Sequence, residues 1–199
     1  MPTRRKRQRP SSDDILAAAE REFAERGYAD TSLRQLMAAA RVSTTAFYAR
    51  FATKEEVLRQ LLAALLEELN GRAREELAES SSVEDGFRRG VDVLVTVLGP
   101  RRALVRIALT DGSATAPVAH TLGQLYASLA ALLASRLEAL TREGKIDAAD
   151  PEALAWSLVG ALSLQVTRWA VLGQLTTEQL GPELHRVAES ILPAILPGR

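Results

Sequence analysis

Residues 31–56 have the sequence TSLRQLMAAARVSTTAFYARFATKEE, which carries the signals of two short helices, a tight turn and the start of a third helix. Ser32 followed by Gln35 predicts a capping box, in which a hydroxyl and an amide each satisfy a helix-start donor. Apolar residues then recur at i, i+3, i+4 and i+7, the pattern of one helix face; they are Leu33, Leu36, Met37 and Ala40. Arg41 interrupts this pattern, and Ser43 can cap the helix that follows.

The second of these helices has different residues on its two sides. Phe47 and Phe51 lie four residues apart and predict a buried side. The opposite side carries small and hydroxyl-bearing residues, with Tyr48 at its edge: Thr44, Thr45 and Ala46. A short helix with such a face can lie close to base edges and phosphates. We therefore expect this helix to enter the major groove of DNA.

The third helix opens on a residue that its own dipole disfavours. Thr53 with Glu56 predicts a second capping box. Lys54 then falls in the first turn, where a positive charge opposes the helix macrodipole. A phosphate partner would explain a lysine at this position.

The stretch from about Ile15 to Leu62 resembles the DNA-binding domain of TetR/AcrR-type transcriptional regulators. The resemblance implies a homodimeric repressor with an N-terminal helix-turn-helix and a C-terminal ligand-binding and dimerisation domain. The residues that carry it are Phe23, Gly27, Tyr28, Thr31, Ser32, Leu36, Ala40, Val42, Ser43, Phe47, Tyr48, Phe51, Lys54 and Glu55.

The resemblance also implies roles for individual side chains. Ser32, Tyr48 and Lys54 would contact phosphates. Three residues would face the bases: Thr44, Thr45 and Ala46. Arg41 and Ser43, beside the turn, complete the predicted set of DNA contacts within the helix-turn-helix.

Two positions depart from the family pattern. Arg41 stands where the turn usually has glycine, which enters the left-handed region without a Cβ clash. Arginine there costs about 1 kcal/mol if the backbone is unchanged, and a phosphate contact by Arg41 could compensate. Met37 stands where the helix–helix contact usually has alanine. These departures put the orientation of the second helix in question.

The net charge of the chain is zero, but its basic residues are unevenly distributed. A cluster precedes the first acidic residue, Asp13, and consists of Arg4, Arg5, Lys6, Arg7 and Arg9. Beside a helix-turn-helix, such an arm is expected to contact phosphates or the minor groove. The alternative is a solvated tail with no contact.

Several classes of protein are disfavoured by what the sequence lacks. It has no cysteine, which removes disulfides, thiolate metal sites and thiol nucleophiles. The two histidines, His120 and His185, are far apart, so a histidine-rich metal site is not expected. Metal binding by carboxylates alone stays open but has no support in the sequence, and no cofactor is expected. The basic start is followed by SSDD rather than an apolar run, which does not fit a secretory signal. The uncharged stretch 112–135 is too polar in its first half to span a bilayer, so a soluble cytoplasmic protein is expected.

The periodicity predicts an all-α fold of about nine helices, with no strand pattern. Besides the helix-turn-helix, helices are expected at about 12–26, 53–79, 82–98, 101–109, 117–143 and 151–172, and a final one opened by Gly181-Pro182 and reaching about residue 192. We expect a disordered basic arm at 1–11, a helix-turn-helix domain at 12–56 and a ligand-binding and dimerisation domain at 57–199.

The helix predicted at 151–172 is apolar nearly all round, so it must be covered on several faces. One cover would be the domain's own core and another a partner subunit, with Gly160 and Ala161 permitting close helix approach. The resemblance likewise implies a homodimer through the last two helices. The alternative is a core helix covered wholly within one chain.

An effector pocket is expected among the fourth to eighth helices of the chain, that is, from the helix at about 53–79 to the helix at about 151–172. Apolar pockets with a few polar anchors are normal for small ligands. The candidate lining residues are Phe87, Arg106, Tyr126, Trp156, Gln165 and Trp169. Packing in the core or in a dimer interface is the alternative for each of them. The sequence does not identify the ligand.

Three hypotheses follow from these patterns. The first is a ligand-responsive transcriptional repressor released from operator DNA by a small-molecule effector. The second is an enzyme, but the sequence contains no Gly-rich phosphate loop, metal-ligand spacing or Ser/His/Asp set. The third is a helical dimeric interaction module with altered or lost DNA binding, supported only by Arg41 and Met37.

Overall fold

The computed structural model describes residues 11–111 and 116–196, and within these ranges it contains helices and no strand. The predicted all-α class is therefore confirmed. The predicted arm residues Arg4, Arg5, Lys6 and Arg7 lie outside the described residues. The helices are α1 (Ser12–Arg26), α2 (Leu33–Ala39), α3 (Thr44–Tyr48), α4 (Lys54–Ala78), α5 (Val83–Leu98), α6 (Arg102–Leu109), α7 (Ala116–Arg142), α8 (Pro151–Ala170) and α9 (Thr177–Ile195), with a 3₁₀ turn at Gly99–Arg101 between α5 and α6.

Side-chain caps fix the starts of the short helices. Ser32 Oγ accepts from Gln35 N at 3.3 Å, and Gln35 Oε1 accepts from Ser32 N at 2.8 Å, which forms the predicted capping box. Ser43 Oγ accepts from Ala46 N at 3.2 Å at the start of α3, as predicted. These bonds satisfy backbone donors that a helix start leaves free, so both helices begin where the sequence places them.

The predicted second capping box forms only in part. Thr53 Oγ1 accepts from Glu56 N at 3.1 Å. The Glu56 carboxylate does not return to the Thr53 backbone but accepts from Arg59 and Gln60, and these hydrogen bonds lower the pKa of Glu56 to about 2. The prediction was wrong in this half, because two stronger donors lie one turn further along α4.

The turn between α2 and α3 closes around Arg41, whose φ is 55°, in the left-handed region. Arg41 N donates to Ala38 O at 3.1 Å and Val42 N donates to Met37 O at 3.0 Å. This pair of bonds is the Schellman arrangement that usually ends on glycine. Met37 is partly buried and packs against the core. The two departures from the family pattern therefore leave a normal helix end.

One hydrophobic cluster runs from the helix-turn-helix into the C-terminal helices. It joins Phe47 and Phe51 to Leu58 and Leu69 of α4, and it continues into α5, α6, α8 and α9. A second cluster lies at the far end, among α7, α8 and α9. Since the first turns of α4 pack into the core of the N-terminal helices, the division at residues 56 and 57 stays a prediction.

The start of α9 was predicted wrongly. The helix begins at Thr177, where Thr176 and Gln179 form a capping box, and not at Gly181-Pro182. Pro182 lies inside the helix at an exposed position. Gly181 is buried, and a Cβ added there would lie 3.5 Å from Val95 Cγ2 of α5. The glycine therefore lies where α9 packs on α5, at a distance that is ordinary van der Waals contact, and does not mark a helix boundary.

Apart from α3, the other predicted helices agree with the structure to within two residues at each end, which is the usual uncertainty of helix ends. The helix α3 ends at Tyr48, so Phe51, which was predicted on its buried side, lies beyond the helix end. Across the described ranges, none of the helices combines the length and the apolar character needed to span a membrane.

Candidate nucleic-acid interface and internal cavity

The short helix α3 rests on two buried aromatic rings. Phe47 and Phe51 are almost fully buried, with ring centroids 5.8 Å apart. Thr44 and Thr45 on the same helix are exposed. Because the inner side is locked by packing, the outer side is presented as a rigid surface of small polar groups.

Tyr48 lies at the edge of that surface and belongs partly to the core. Its ring meets Phe47 edge to face, with centroids 5.8 Å apart and an interplanar angle of 85°. The residue remains 52% exposed. The phenol is therefore held by its ring while a large part of it stays available to a partner.

The surface around α3 carries only positive charge along the chain from Thr31 to Lys54: the basic residues there are Arg34, Arg41, Arg50 and Lys54, and none is acidic. Arg34 and Arg41 are exposed and form no ion pair with any residue that the structure describes. Arg50 Nη1 donates to Ala46 O at 2.8 Å and closes the end of α3. Arg34 was not predicted as a contact residue, although its place opposite the buried Leu36 could have indicated it.

Lys54 has partners within the protein. Its Nζ donates to Tyr28 O at 2.7 Å and to Ala29 O at 3.3 Å, and it lies 4.4 Å from the centroid of the Tyr28 ring. These contacts tie the first turn of α4 to the turn after α1 and explain a lysine at a helix start without a phosphate. An ammonium group has three donors, so one remains for an outside acceptor.

Tyr28 and Glu55 complete this junction. The Tyr28 ring packs edge to face on Phe23, with centroids 5.2 Å apart. Burial, followed by the charge of Glu55, raises the pKa of Tyr28 well above its ordinary value. A hydrogen bond from its own backbone amide lowers the pKa of Glu55. The phenol is therefore neutral and the carboxylate ionised at neutral pH, which adds a fixed negative charge at the N-terminus of α4, where the helix dipole favours one.

The structure brings the predicted DNA-contact residues of the helix-turn-helix into one segment between the starts of α2 and α4. The side chains of Ser32 and Ser43 both cap helices, and both residues are exposed. Ala46 is partly buried. The positions of the set are Ser32, Arg41, Ser43, Thr44, Thr45, Ala46, Tyr48 and Lys54.

A cavity of about 190 Å³ lies among α4, α5, α6, α7 and α8, with one residue of α9. Its wall is made almost wholly of leucine and valine side chains. Phe87 and Tyr126, two of the six predicted lining residues, belong to it. The cavity thus lies among the helices where the effector pocket was expected.

The other four predicted residues do not line this cavity. Arg106 is exposed, and Trp156 is 46% exposed on α8. Gln165 accepts from Arg168 Nη1 at 2.7 Å. Trp169 is fully buried, and its Nε1 donates to Thr177 Oγ1 at 3.3 Å. Aromatic and polar character marked these residues in the sequence, but their helix faces turn them to solvent, to a neighbouring side chain or to the core.

Arg136 is a lining residue that the sequence prediction missed. Its Nη2 donates to Ser80 Oγ at 3.1 Å. The signal was present, because Arg136 continues the apolar series of α7 that includes Leu129, Leu133 and Leu140. An arginine at an apolar position of a helix indicates a charged group on the side of the helix that faces the protein interior.

The cavity is physically connected to the N-terminal helices. α6 supplies Val105 and Ala108 to the cavity wall and also packs against α1. Arg101, just before α6, pairs with Glu20 of α1 at 3.4 Å and with Glu68 of α4 at 2.9 Å. Arg101 therefore joins the helix-turn-helix to two elements that border the cavity.

Comparisons with known proteins agree with this geometry. The family model for bacterial regulatory proteins of the tetR family matches residues 15–61. The HTH-type transcriptional regulator EthR of Mycobacterium tuberculosis is 31% identical over 200 residues, which cover 96% of this chain and 90% of EthR.

Solved structures show the same fold. FadR of Bacillus subtilis, determined in complex with stearoyl-CoA, superposes with a TM-score of 0.77 at 19% identity, covering 90% of this chain and 96% of FadR. The fatty acid degradation regulator FadR of Bacillus halodurans gives a TM-score of 0.77 at 22% identity, covering 92% and 96%.

The exposed α3, its basic surroundings and the helical C-terminal part define a helix-turn-helix DNA-binding regulator. The chain belongs to the TetR family of bacterial transcriptional regulators. The relatives are named as transcriptional regulators and not as enzymes, which confirms the expectation that this chain is a regulator rather than an enzyme. Because Arg41 closes a normal turn and Met37 packs against the core, the two sequence features that favoured an interaction module without DNA binding no longer support it.

Proposed function

We propose that this regulator is a homodimeric repressor that leaves its operator when a small apolar molecule fills the cavity. The observation that carries the proposal is the double role of α4. At its N-terminus, Lys54 is bonded to the turn after α1, and further along Leu62, Leu69 and Leu77 line the cavity. A helix of 25 residues is about 37 Å long, so one rigid element reaches both regions.

The DNA contacts divide into two kinds. Thr44, Thr45 and Ala46 would meet base edges, which carry the sequence information. Phosphates would be held by residues around them, which fix position without reading sequence: Ser32, Arg41, Ser43, Tyr48, Lys54 and the arm residues Arg4, Arg5, Lys6 and Arg7. Arg34 joins this second group because it is exposed and unpaired among the described residues.

The dimer would form through α8 and α9. Trp156 is 46% exposed and Leu164 is 56% exposed on α8, and Gly160 lies between them, one and two turns along the same helix face. Large apolar side chains exposed on one face are typical of an interface. A two-fold dimer would place two α3 helices about 34–36 Å apart, one turn of DNA.

Release would work by a shift of population. An effector that binds better to a dimer with another α3 spacing lowers operator affinity by its differential affinity for the two states. FadR of Bacillus subtilis, which shares the fold, was solved with stearoyl-CoA, a ligand with a long apolar chain. A leucine- and valine-lined cavity supports an apolar effector here too. A regulator of this kind acts in the cytoplasm, where the operator is.

The test is fluorescence polarisation with labelled duplex DNA from upstream of the protein's own gene, against a scrambled duplex of equal length and composition. We expect tighter binding to the natural sequence and a linear fall of log affinity with log salt. Equal affinity for both duplexes at every salt concentration would contradict operator recognition.

The arm can be tested in the same assay with a variant that lacks residues 1–9. If the arm contacts DNA, the variant binds more weakly and with a shallower salt slope, because fewer counterions are released. An unchanged slope would assign the arm to solvent.

A further inference from the structure

We infer that the effector is an amphiphile with one carboxylate head and a slender, unbranched apolar chain, the head lying at Arg136 and Ser80 and the chain along α4. The inference deepens the proposed function and rests on it, because it names the class of molecule that the cavity takes.

The cavity is long, and the one charged residue of its described wall lies at one end. Its α4 wall runs from Leu62 to Leu77, about 22 Å along the helix axis. Beyond Leu77 lie Ser80 and Ser82, where Arg136 of α7 joins the wall. The opposite end is closed by apolar residues of α5 and α6 such as Leu98, Val105 and Ala108.

Arg136 is the one charged residue in the described wall of the cavity. It is partly buried and forms no ion pair with a described carboxylate. Of its five N–H donors, one bonds Ser80 Oγ, whose own proton goes to Leu77 O at 2.8 Å. The rest of the guanidinium is open to a ligand.

The acidic residues near this end are already engaged with other cations. Asp85 pairs with Arg89 at 3.0 Å, and Glu76 pairs with the same Arg89 at 2.6 Å. Glu143 pairs with Lys145 at 2.8 Å. A partly desolvated guanidinium favours a carboxylate, which it can bind through two parallel hydrogen bonds. A hydrogen bond from Lys145, followed by the charges of Lys145 and Arg136, lowers the pKa of Glu143, yet no described carboxylate lies within ion-pair distance of Arg136. A carboxylate in direct contact with Arg136 would therefore come from the ligand.

The shape of the cavity favours a chain over a bulky ring system. Its volume of about 190 Å³ is below the range of about 300–1,000 Å³ that is common for ligand pockets, yet it is spread along several turns of α4. Near Arg136, α5 comes close to the turn that follows α4: a Cβ added to Gly86 would lie 3.3 Å from Ser80 Oγ. A slender, flexible chain fits a cavity that is this small and elongated.

The experiment compares three ligands that differ only at the head: decanoate, decan-1-ol and decylamine. Binding to the full chain is measured by isothermal titration calorimetry at pH 7.5, below the concentrations at which they form micelles. We expect decanoate to bind at least about tenfold more tightly than decanol, because a hydrogen bond to a charged group is worth that much. Decylamine should bind most weakly.

Arg136→Gln should weaken decanoate binding by about tenfold or more and leave decanol binding unchanged. Arg136→Lys, which keeps the charge but loses the paired geometry, should fall between the two proteins and serves if the glutamine variant folds poorly. The matched control is Arg142→Gln, since Arg142 is exposed on α7 and does not line the cavity.

Equal affinity for decanoate and decanol, no binding of decanoate, or no effect of Arg136→Gln would overturn the inference. Operator binding is measured on the same preparations, which separates the two proposals. Sequence-specific operator binding without Arg136-dependent decanoate binding removes this ligand class and leaves the regulator. Arg136-dependent decanoate binding without operator recognition supports this ligand class and removes the proposed operator-binding function.

Discussion

Arg41 shows how a single residue can carry a structural cost beside a binding surface. Its φ of 55° lies where a Cβ crowds the backbone, yet the Schellman bonds at the end of α2 are both present. The side chain is exposed beside α3 and free of ion pairs among the described residues. We propose that Arg41 contacts a phosphate, a contact that would offset the strain of the turn.

Arg41→Gly should therefore stabilise the protein and weaken DNA binding. Removing the strain should raise the free energy of unfolding by about 1 kcal/mol, measured by urea denaturation. The salt slope of operator binding should fall by about 1, because one phosphate contact is lost. Arg41→Asn, which also tolerates this backbone, is the comparison; a glycine variant no more stable than the wild type would contradict the strain.

Tyr48 and Thr45 should differ in what their loss changes. Tyr48→Phe keeps the ring against Phe47 and removes only the hydroxyl, so folding is preserved. We expect weaker binding to all duplexes by a similar factor of about 3–10, as for a lost phosphate contact. Thr45→Ala should instead change the ranking of operator variants. The opposite pattern in a polarisation panel would exchange the two roles.

Residues with local partners were predictable, and those with distant partners were not. The caps at Ser32 and Ser43 depend on bonds three residues away, so the sequence contains them. The partners of Lys54 lie 25 and 26 residues away, and that of Arg136 lies 56 residues away. Such contacts exist only once the helices have packed.

The last residue of the 3₁₀ turn and the first residue of α6 together contact three other helices. Arg101 reaches Glu20 of α1 and Glu68 of α4. Arg102 Nη2 donates to Trp169 O of α8 at 2.6 Å. Because α6 also lines the cavity, a ligand that moves α6 would pull on α1 through Arg101.

Arg101→Gln should reduce the change in operator affinity that a cavity ligand produces, by up to about tenfold, since coupling between sites is commonly about 1–3 kcal/mol. Ligand affinity in the absence of DNA should change little. The matched control is Arg72→Gln, which removes a partner of the same Glu68 carboxylate at 3.0 Å but stays within α4. Equal coupling in both variants would remove Arg101 from the pathway.

Most helix positions followed from apolar periodicity and from capping and breaking residues, and the largest error was the start of α9. Gly181-Pro182 has the composition of a helix start, yet the box of Thr176 and Gln179 begins the helix earlier. The glycine is buried where α9 packs against Val95 of α5, a tertiary contact that the local sequence does not show. Pro182 is the sixth residue of α9 and removes one backbone hydrogen bond of the helix.

The exposed face of α8 predicts that two copies of the chain form a dimer. Leu164→Glu would place a charge in the proposed interface and should convert a dimer to a monomer, with weaker operator binding because two α3 helices no longer act together. Light scattering coupled to gel filtration gives the mass. Ala131→Glu, at an exposed position of α7, is the control; a dimer in both variants would move the interface elsewhere.

The location of the cavity was predictable from the sequence, but most of its wall was not. Helix order placed a pocket among the fourth to eighth helices, whereas only Phe87 and Tyr126 of the six predicted residues line it. The wall is mainly leucine and valine, which have the same pattern in a cavity as in a solid core. Which apolar faces fail to meet is decided by the angles between helices, and no single helix encodes these.

Occupancy of the cavity should alter DNA binding through α4, which borders both regions. The measurement is a pair of titrations: operator affinity with and without the strongest ligand from a thermal-shift screen, and ligand affinity with and without saturating operator. We expect the ligand to weaken operator binding and the operator to weaken ligand binding by the same factor, as linkage requires. A ligand that binds the cavity and leaves operator affinity unchanged would contradict it.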